Sequence, residues 1–299
     1  AMETAVDLGV TSVTVNDPGA SQEWYLESLD LYRAWGIQTS ESAREQAPVS
    51  VAVIDSGCLV SHEDLKDNIV ATYNSVSKVE GADQVEDEGG HGTHVAGIVS
   101  ARANNGIGAI GASYNAGLVI VKANDGLDTS GQPAFSTVTL ASAYQWFLGD
   151  SGNGRSVAER YNLRVVNMSL GGPSAVDADD ALYAKITQAR EAGILTVCAA
   201  GNSGGANATP PYNVIPGDYA DCFTVINLRK GSSTTPNDSS GTYYVERSSS
   251  SNYNVESGEF AKAKNISAPG TAIYSTLYSG TDQYGEKSGT SMASPATAE

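Results

Sequence analysis

Histidine is scarce in this sequence: His62, His91 and His94 are the three among 299 residues. Any chemistry that needs an imidazole to carry a proton has few places to find one. His91 stands in GGHGTHVAGIVS, with glycines on both sides and an apolar helical pattern after it, which puts it at the entry of a helix with its ring free to face a cleft. His94, three residues on, could share that face as an HxxH metal pair. No Glu lies between the two as a general base and no Cys or acidic cluster supplies a third ligand, so His94 reads as a packed or hydrogen-bonded supporting residue. His62, in SHEDL, reads as a surface or turn residue. Ser291 follows Gly289-Thr290 in SGTSMASPATAE and opens a small-residue helix. The unpaired N–H groups and positive dipole end there favour a developing anion, which suits a nucleophile, although serine is also a common helix cap. Asp55 ends the run VAVIDSG, where an Asp before Ser-Gly is as readily a turn former. Taken together, Asp55, His91 and Ser291 stand in one of the chain orders by which a carboxylate, a base and a nucleophile are laid out for acyl transfer.

Residues so far apart need a frame that gathers them. PVSVAVID (48–55) is a continuous β-branched run bounded by Pro and Ser-Gly, the pattern of a strand buried on both faces. The pattern returns in LVIVKA (118–123), LRVVNMSL (163–170) and ILTVCAA (194–200). Helix-like stretches precede them: HVAGIVSARA (94–103), STVTLASAYQWFL (136–148) and DADDALYAKITQAREAG (177–193). Strands alternating with helices predict an α/β fold, a doubly wound, mostly parallel sheet with helices on both faces and right-handed crossovers. In such sheets binding chemistry collects at the carboxyl ends of the strands, where Asp55, Ser169-Leu170-Gly171-Gly172 and Gly201-Asn202 stand. Residues 1–47 read as an N-terminal arm: NDPG (16–19) as a turn, then SQEWYLESLDLYRAW as one amphipathic helix. Residues 48–299 read as one domain. The acidic stretch 73–90 and the Ser-, Asn- and Gly-rich stretch 229–260 read as solvated loops.

Composition removes several alternatives. Lys and Arg number 17 against 34 Asp and Glu, a net charge of −17 that works against phosphate-bearing partners, so neither nucleic acid nor an anionic membrane surface is expected. No apolar run reaches about 18 residues and no basic-then-apolar leader opens the sequence, so a membrane span is not expected. Cys58, Cys198 and Cys222 make neither a disulfide framework nor a CxxC metal spacing.

At this point the sequence resembles the subtilisin-like serine proteases, the subtilases. VAVIDSG, GHGTHVAGI, NMSLGGP (167–173), AAGN (199–202), SAPGTAIYSTL (267–277) and SGTSMASP (288–295) follow that family's order from about residue 17 to 299. The resemblance implies a serine endopeptidase working through an acyl-enzyme. Ser291 would be the nucleophile, His91 the base, Asp55 its orienting carboxylate, and the side chain of Asn202 an oxyanion donor beside the Ser291 N–H. Ser169, Leu170 and Gly171 would pair with an extended peptide, and Ala199, Ala200 and Gly201 would form the other wall of the first specificity pocket. Val214 falls where the family often has glycine, within ANATPPYNVIPG (206–217), which would make that pocket shallow.

The same resemblance implies a structural Ca²⁺ held by Asp64 and Asn105, with Asp17 as a third ligand; as ordinary turn and cap residues the three would need no metal. Cys58, three residues after Asp55, would be a mercurial-sensitive thiol or an inert buried one. The implied partner is a protein or peptide substrate, together with a removed pro-segment acting as inhibitor. A mature, monomeric form, secreted or at the cell surface, is implied, with an intracellular form left open. Only eight residues follow Ser291, where the family continues for tens, and Glu299 stands at a usual glycine, so the C-terminal end reads as truncated. Two other readings stay beside this one: a narrow processing protease, and a non-catalytic member of the fold that binds peptides.

Overall fold

Alternate side chains of strand β1 (Ser50–Asp55) enter two different cores, Val51 and Val53 on one face, Ala52 and Ile54 on the other. The run is apolar throughout because both faces of the sheet are covered. The computed structural model describes residues 11–39, 48–152, 154–174, 180–205, 214–253 and 266–298. Before β1 the chain forms helices α1 (Trp24–Ser28) and α2 (Leu31–Gln38). It continues through β2 (Ile69–Asn74), β3 (Val79–Glu80), α3 (His91–Ser100) and β4 (Gly117–Lys122). A hairpin of β5 (Asn124–Leu127) and β6 (Pro133–Phe135) leads to α4 (Thr137–Leu148), α5 (Val157–Arg160) and β7 (Leu163–Met168). Then come β8 (Gly172–Pro173), α6 (Ala181–Glu191), β9 (Leu195–Ala199), β10 (Val214–Ile215), β11 (Cys222–Lys230) and β12 (Val245–Arg247). β13 (Ile266–Pro269), β14 (Ile273–Thr276), β15 (Tyr284–Lys287) and α7 (Thr290–Ala293) follow.

Among the described residues one nine-stranded sheet runs β12-β11-β9-β7-β1-β4-β2-β3, with β13 also on β11. Its pairings are parallel except β2 with β3 and β11 with β12. The strand order reverses direction at β1, which has β4 on one side and β7 on the other. That switch point leaves a crevice at the carboxyl ends of β1, β7 and β9. Residues of α1, α2, α3 and α7 fill the core on one face of the sheet; residues of α4, α5 and α6 fill the other. The fold is the doubly wound α/β arrangement expected.

Two expectations change. The arm is not one helix: the chain breaks between α1 and α2 at Asp30, whose φ of 57° is a left-handed conformation that Asp tolerates better than most residues. The break lets both tryptophans turn inward. Trp24 Nε1 donates to the Thr271 carbonyl at 3.1 Å and Trp35 Nε1 to the Ala112 carbonyl at 2.7 Å. The two polar stretches are also not wholly solvated. Val85 and Asp87 in the first, and Ser251 and Asn252 in the second, are buried against the elements that carry the site. Residues 1–10, 40–47, 177–179, 206–213, 254–265 and 299 of the predicted segments lie outside the described residues.

Candidate active site

Each candidate residue owes its place to the end of a core element. β1 delivers Asp55, almost wholly buried, whose Oδ1 accepts from His91 Nδ1 at 2.8 Å and from the Ser56 N–H at 2.7 Å. His91 is the first residue of α3. The helix has no capping side chain at Gly90; Asp87 takes that part from outside, its carboxylate accepting from Gly90 N at 3.2 Å, Thr93 N at 2.8 Å and Thr93 Oγ1 at 2.5 Å. Ser56 Oγ donates to Asp87 at 2.7 Å and accepts from Gly92 N at 3.1 Å. The end of β1 and the start of α3 are thus locked by one buried carboxylate that composition alone assigned to a loop. An acid just before a helix start is a capping signal, and that signal was available in EDEGGHG.

Ser291 lies in the first turn of α7, where helix N–H groups have no intrahelical acceptor. A relay from β7 seats it: Ser294 Oγ donates to Asn167 Oδ1 at 2.6 Å, Asn167 Nδ2 to Ser169 Oγ at 3.0 Å, and Ser169 Oγ to the Ser291 carbonyl at 2.7 Å. Ser291 Oγ donates to the Ser169 carbonyl at 3.0 Å. Among the described residues no hydrogen bond joins it to His91 Nε2.

Asn202 follows Gly201, whose φ of 95° suits glycine. Asn202 Oδ1 accepts from Thr290 N at 2.9 Å and Thr290 Oγ1 at 3.1 Å, while Gly201 N donates to Thr290 Oγ1 at 3.1 Å. With its carbonyl side held by α7, the amide nitrogen is left for the cleft. Asn252 supports the turn from behind, donating to the Ala200 carbonyl at 3.0 Å and accepting from Ser203 N at 3.0 Å.

A cleft of about 280 Å³ brings Asp55, His91, Ser169, Leu170, Gly171, Ala199, Gly201, Asn202 and Ser291 together, with Gln132, Pro133 and Phe135 from the β5–β6 hairpin. Ala200 lies behind this wall, fully buried. Val214 reaches into the cleft: a Cβ placed on Gly171 would lie 2.7 Å from Val214 Cγ1, and one placed on Gly201 3.1 Å from Val214 Cγ2. The valine is therefore wedged between the two walls.

Burial pulls the His91 pKa down, but the charge and hydrogen bond of Asp55, with a smaller push from Asp87, outweigh burial and the nearby Lys287. The imidazole ends above the ordinary histidine value. His94 is fully buried and its Nε2 contacts the Gly285 carbonyl at 3.1 Å. Burial drives its pKa to about 3, so it stays neutral in the supporting role expected. His62 is in a turn as expected, its N–H donating to the Leu59 carbonyl at 2.9 Å, but it is not at the surface: it is fully buried, with Nε2 3.0 Å from the Gln283 carbonyl and Nδ1 accepting from Asp64 N at 3.3 Å. It joins the Asp64 segment to the loop before β15, a long-range partner that SHEDL does not disclose. Cys58 is buried and burial pushes its thiol pKa up, which keeps it inert.

Away from the cleft, Asp17, Asp64 and Asn105 do meet. Asn105 Nδ2 donates to Asp64 Oδ1 at 2.7 Å and Asn105 N to Asp17 Oδ1 at 3.1 Å. Both carboxylates are buried. Among the described residues no group of three or more His, Cys, Asp or Glu is placed to hold a metal ion.

Residues 46–299 match the family model described as the subtilase family, peptidase S8. The major intracellular serine protease of Bacillus subtilis (strain 168) is 36% identical over 251 residues, covering 83% of this chain and 65% of that protein. Thermitase of Thermoactinomyces vulgaris is 31% identical over 287 residues, covering 95% of this chain and 83% of that protein. A solved structure of a protease from Pseudoalteromonas arctica PAMC 21717 superimposes with a TM-score of 0.70 at 28% identity, over 96% of this chain and 85% of the other. The chain spans about two thirds of the intracellular protease and 53% of subtilisin amylosacchariticus. A family match over residues 46–299, joined to the fold and to the cleft at its switch point, has one conclusion: the chain belongs to the subtilase family.

Proposed function

We propose that this protein is a serine endopeptidase. The observation that carries the reading is the convergence of Asp55, His91, Asn202 and Ser291, from four separate segments, on one cleft. Ser291 Oγ turns from the Ser169 carbonyl to His91 Nε2, gives up its proton there and attacks the scissile carbonyl. Asp55 holds the imidazole by Nδ1 and stabilises the imidazolium. The carbonyl oxygen, now an oxyanion, receives the Ser291 N–H and the Asn202 amide. His91 returns the proton to the leaving amine, the C–N bond breaks, and water repeats the sequence to free the acid and restore the serine. Ser169 to Gly171 belong to no described strand, which leaves their backbone open to pair with an extended substrate. Because the base must be neutral, the rate rises with pH as His91 loses its proton. A fluorophosphonate should label Ser291 in the folded protein. Absence of labelling would instead favour a peptide-binding member without activity.

The same reading treats residues 1–47 as an arm on a peptidase domain, 48–299, supported by Trp24, Tyr25 and Trp35 sharing the core of the sheet. Its chemistry works on either side of a membrane. All three cysteines are buried and unpaired, so no disulfide ties the fold to an oxidising compartment. Secretion is the location the resemblance favours, and the intracellular relative favours the other. No helix among the described residues is long and apolar enough to cross a membrane.

A structural Ca²⁺ at Asp17, Asp64 and Asn105 is part of this proposal. The carboxylates of Asp17 and Asp64 are hard oxygens, and no cationic side chain pairs with either among the described residues; Asn105 turns its Nδ2 to Asp64 and its Oδ1 accepts from Ile107 N at 3.0 Å, so it would serve as a ligand only with its amide reversed. Burial pushes the Asp64 pKa up to about 6, and buried Glu23 stands close enough for Asp17 and Asp64 to repel it. A divalent cation would offset that repulsion. EDTA is expected to lower Tm by roughly 4 °C, restored by added Ca²⁺, as for a ligand present at about 100 times its Kd. An unchanged Tm in EDTA would remove calcium from the account.

A further inference from the structure

Lys287, the last residue of β15, stands four positions before Ser291 and has no part in the chemistry above. Its Nζ donates to the Gly90 carbonyl at 2.8 Å. Gly90 is the residue just before His91, held in a left-handed turn at φ 70°. The placement is costly on two counts. The ammonium is half-buried, and it sits at the start of α3, where the helix dipole disfavours positive charge. Its hydrogen-bond partner is a neutral carbonyl, and among the described residues no carboxylate lies within ion-pair distance.

What the cation offsets is close by. Asp55 on β1 and Asp87 before α3 are two buried carboxylates near His91, and together they favour the protonated imidazole. From its own helix His91 faces only neutral His94, and from β15 it faces Lys287. We propose that Lys287 is a positioning residue for proton transfer: it ties the backbone before His91 to the strand leading to Ser291, and its fixed positive charge offsets part of the carboxylates' pull toward the imidazolium, leaving more of His91 in the neutral form that accepts the serine proton. The proposal rests on His91 being the base. Burial lowers the pKa of Lys287, while Asp87 and Asp55 support its charge, so the lysine is itself stabilised by the carboxylates it counters.

The test separates charge from tether. Lys287→Gln drops the charge and keeps a shorter side-chain donor, and Lys287→Arg keeps the charge. Profiles of kcat/KM and of fluorophosphonate inactivation rate are measured from about pH 5 to 9, with Tm as the folding control. In Lys287→Gln the acid limb of both profiles is expected to move up by about half to one pH unit, with the alkaline plateau within a few-fold of the parent. In Lys287→Arg the limb should stay with the parent. An unmoved limb in folded Lys287→Gln, or an equal shift in Lys287→Arg, overturns the proposal. If Lys287→Gln does not fold, Lys287→Met serves as the neutral variant under the same criterion. Failure of the parent protein to react with fluorophosphonate would strike at the base itself, a separate outcome.

Discussion

Ser291→Ala is expected to lower kcat/KM on a peptide substrate by roughly 10⁴-fold or more while leaving the protein folded. The loss is expected to be large because in the proposed mechanism the hydroxyl forms the acyl bond, and His91 and Asp55 would have nothing to act on without it. Residual turnover would come from the oxyanion donors and from substrate binding alone. The structural loss is small by comparison. Among the described residues Ser291 Oγ makes one hydrogen bond, to the Ser169 carbonyl, while the relay that seats α7 runs through the Ser291 backbone and through Ser169, Asn167 and Ser294. One such bond is worth about 1 kcal/mol, a change of only a few degrees in Tm. Activity assays beside thermal melts check both halves. Retention of more than a few per cent of activity in a pure, folded variant would assign the nucleophile elsewhere.

The second large effect concerns which bonds are cut. Val214 places two methyl groups between Gly171 and Gly201, the positions where a substrate side chain would enter beside the scissile bond. The parent protein should therefore favour small residues there. Val214→Gly should raise kcat/KM for a phenylalanine at that position, relative to alanine, by about 10- to 100-fold, the scale on which a few carbon atoms are discriminated in an apolar pocket. Some stability is lost as well, since Val214 is buried and pairs with Pro173 across β10 and β8, and glycine is more costly to order. An unchanged ratio of the two substrates, in a variant whose melt is still cooperative, would place the specificity limit outside Val214.

How much of this could be read in the sequence depended on how local each cause is. The central strands were legible because burial on both faces writes itself as an unbroken β-branched run, as in SVAVID and GLVIVK. The residues of the cleft were legible because helix starts and strand ends carry short motifs. Asp87 and Asn252 were not: each sits in a polar stretch whose composition speaks for solvent, and each acts through partners that only the folded backbone assembles, at Ser56 and Thr93 or at Ala200 and Ser203. His62 misled for a similar reason, since its burial is supplied by a loop more than two hundred residues away. In the arm, regular helical spacing concealed a break at Asp30, where the chain takes a left-handed conformation.

The hydrogen bonds that seat the nucleophile also order events in time. Asp55 and His91 are 36 residues apart in the chain, whereas Thr290 and Asn202 are separated by 88 and Ser291 and Ser169 by 122. Closing the longer loops carries the greater entropic cost, and such distant contacts slow folding. The carboxylate and base can therefore meet well before the serine has a seat. On the proposed function, cutting power would arrive only once the sheet has closed over the segments that an early, half-folded molecule leaves open to attack.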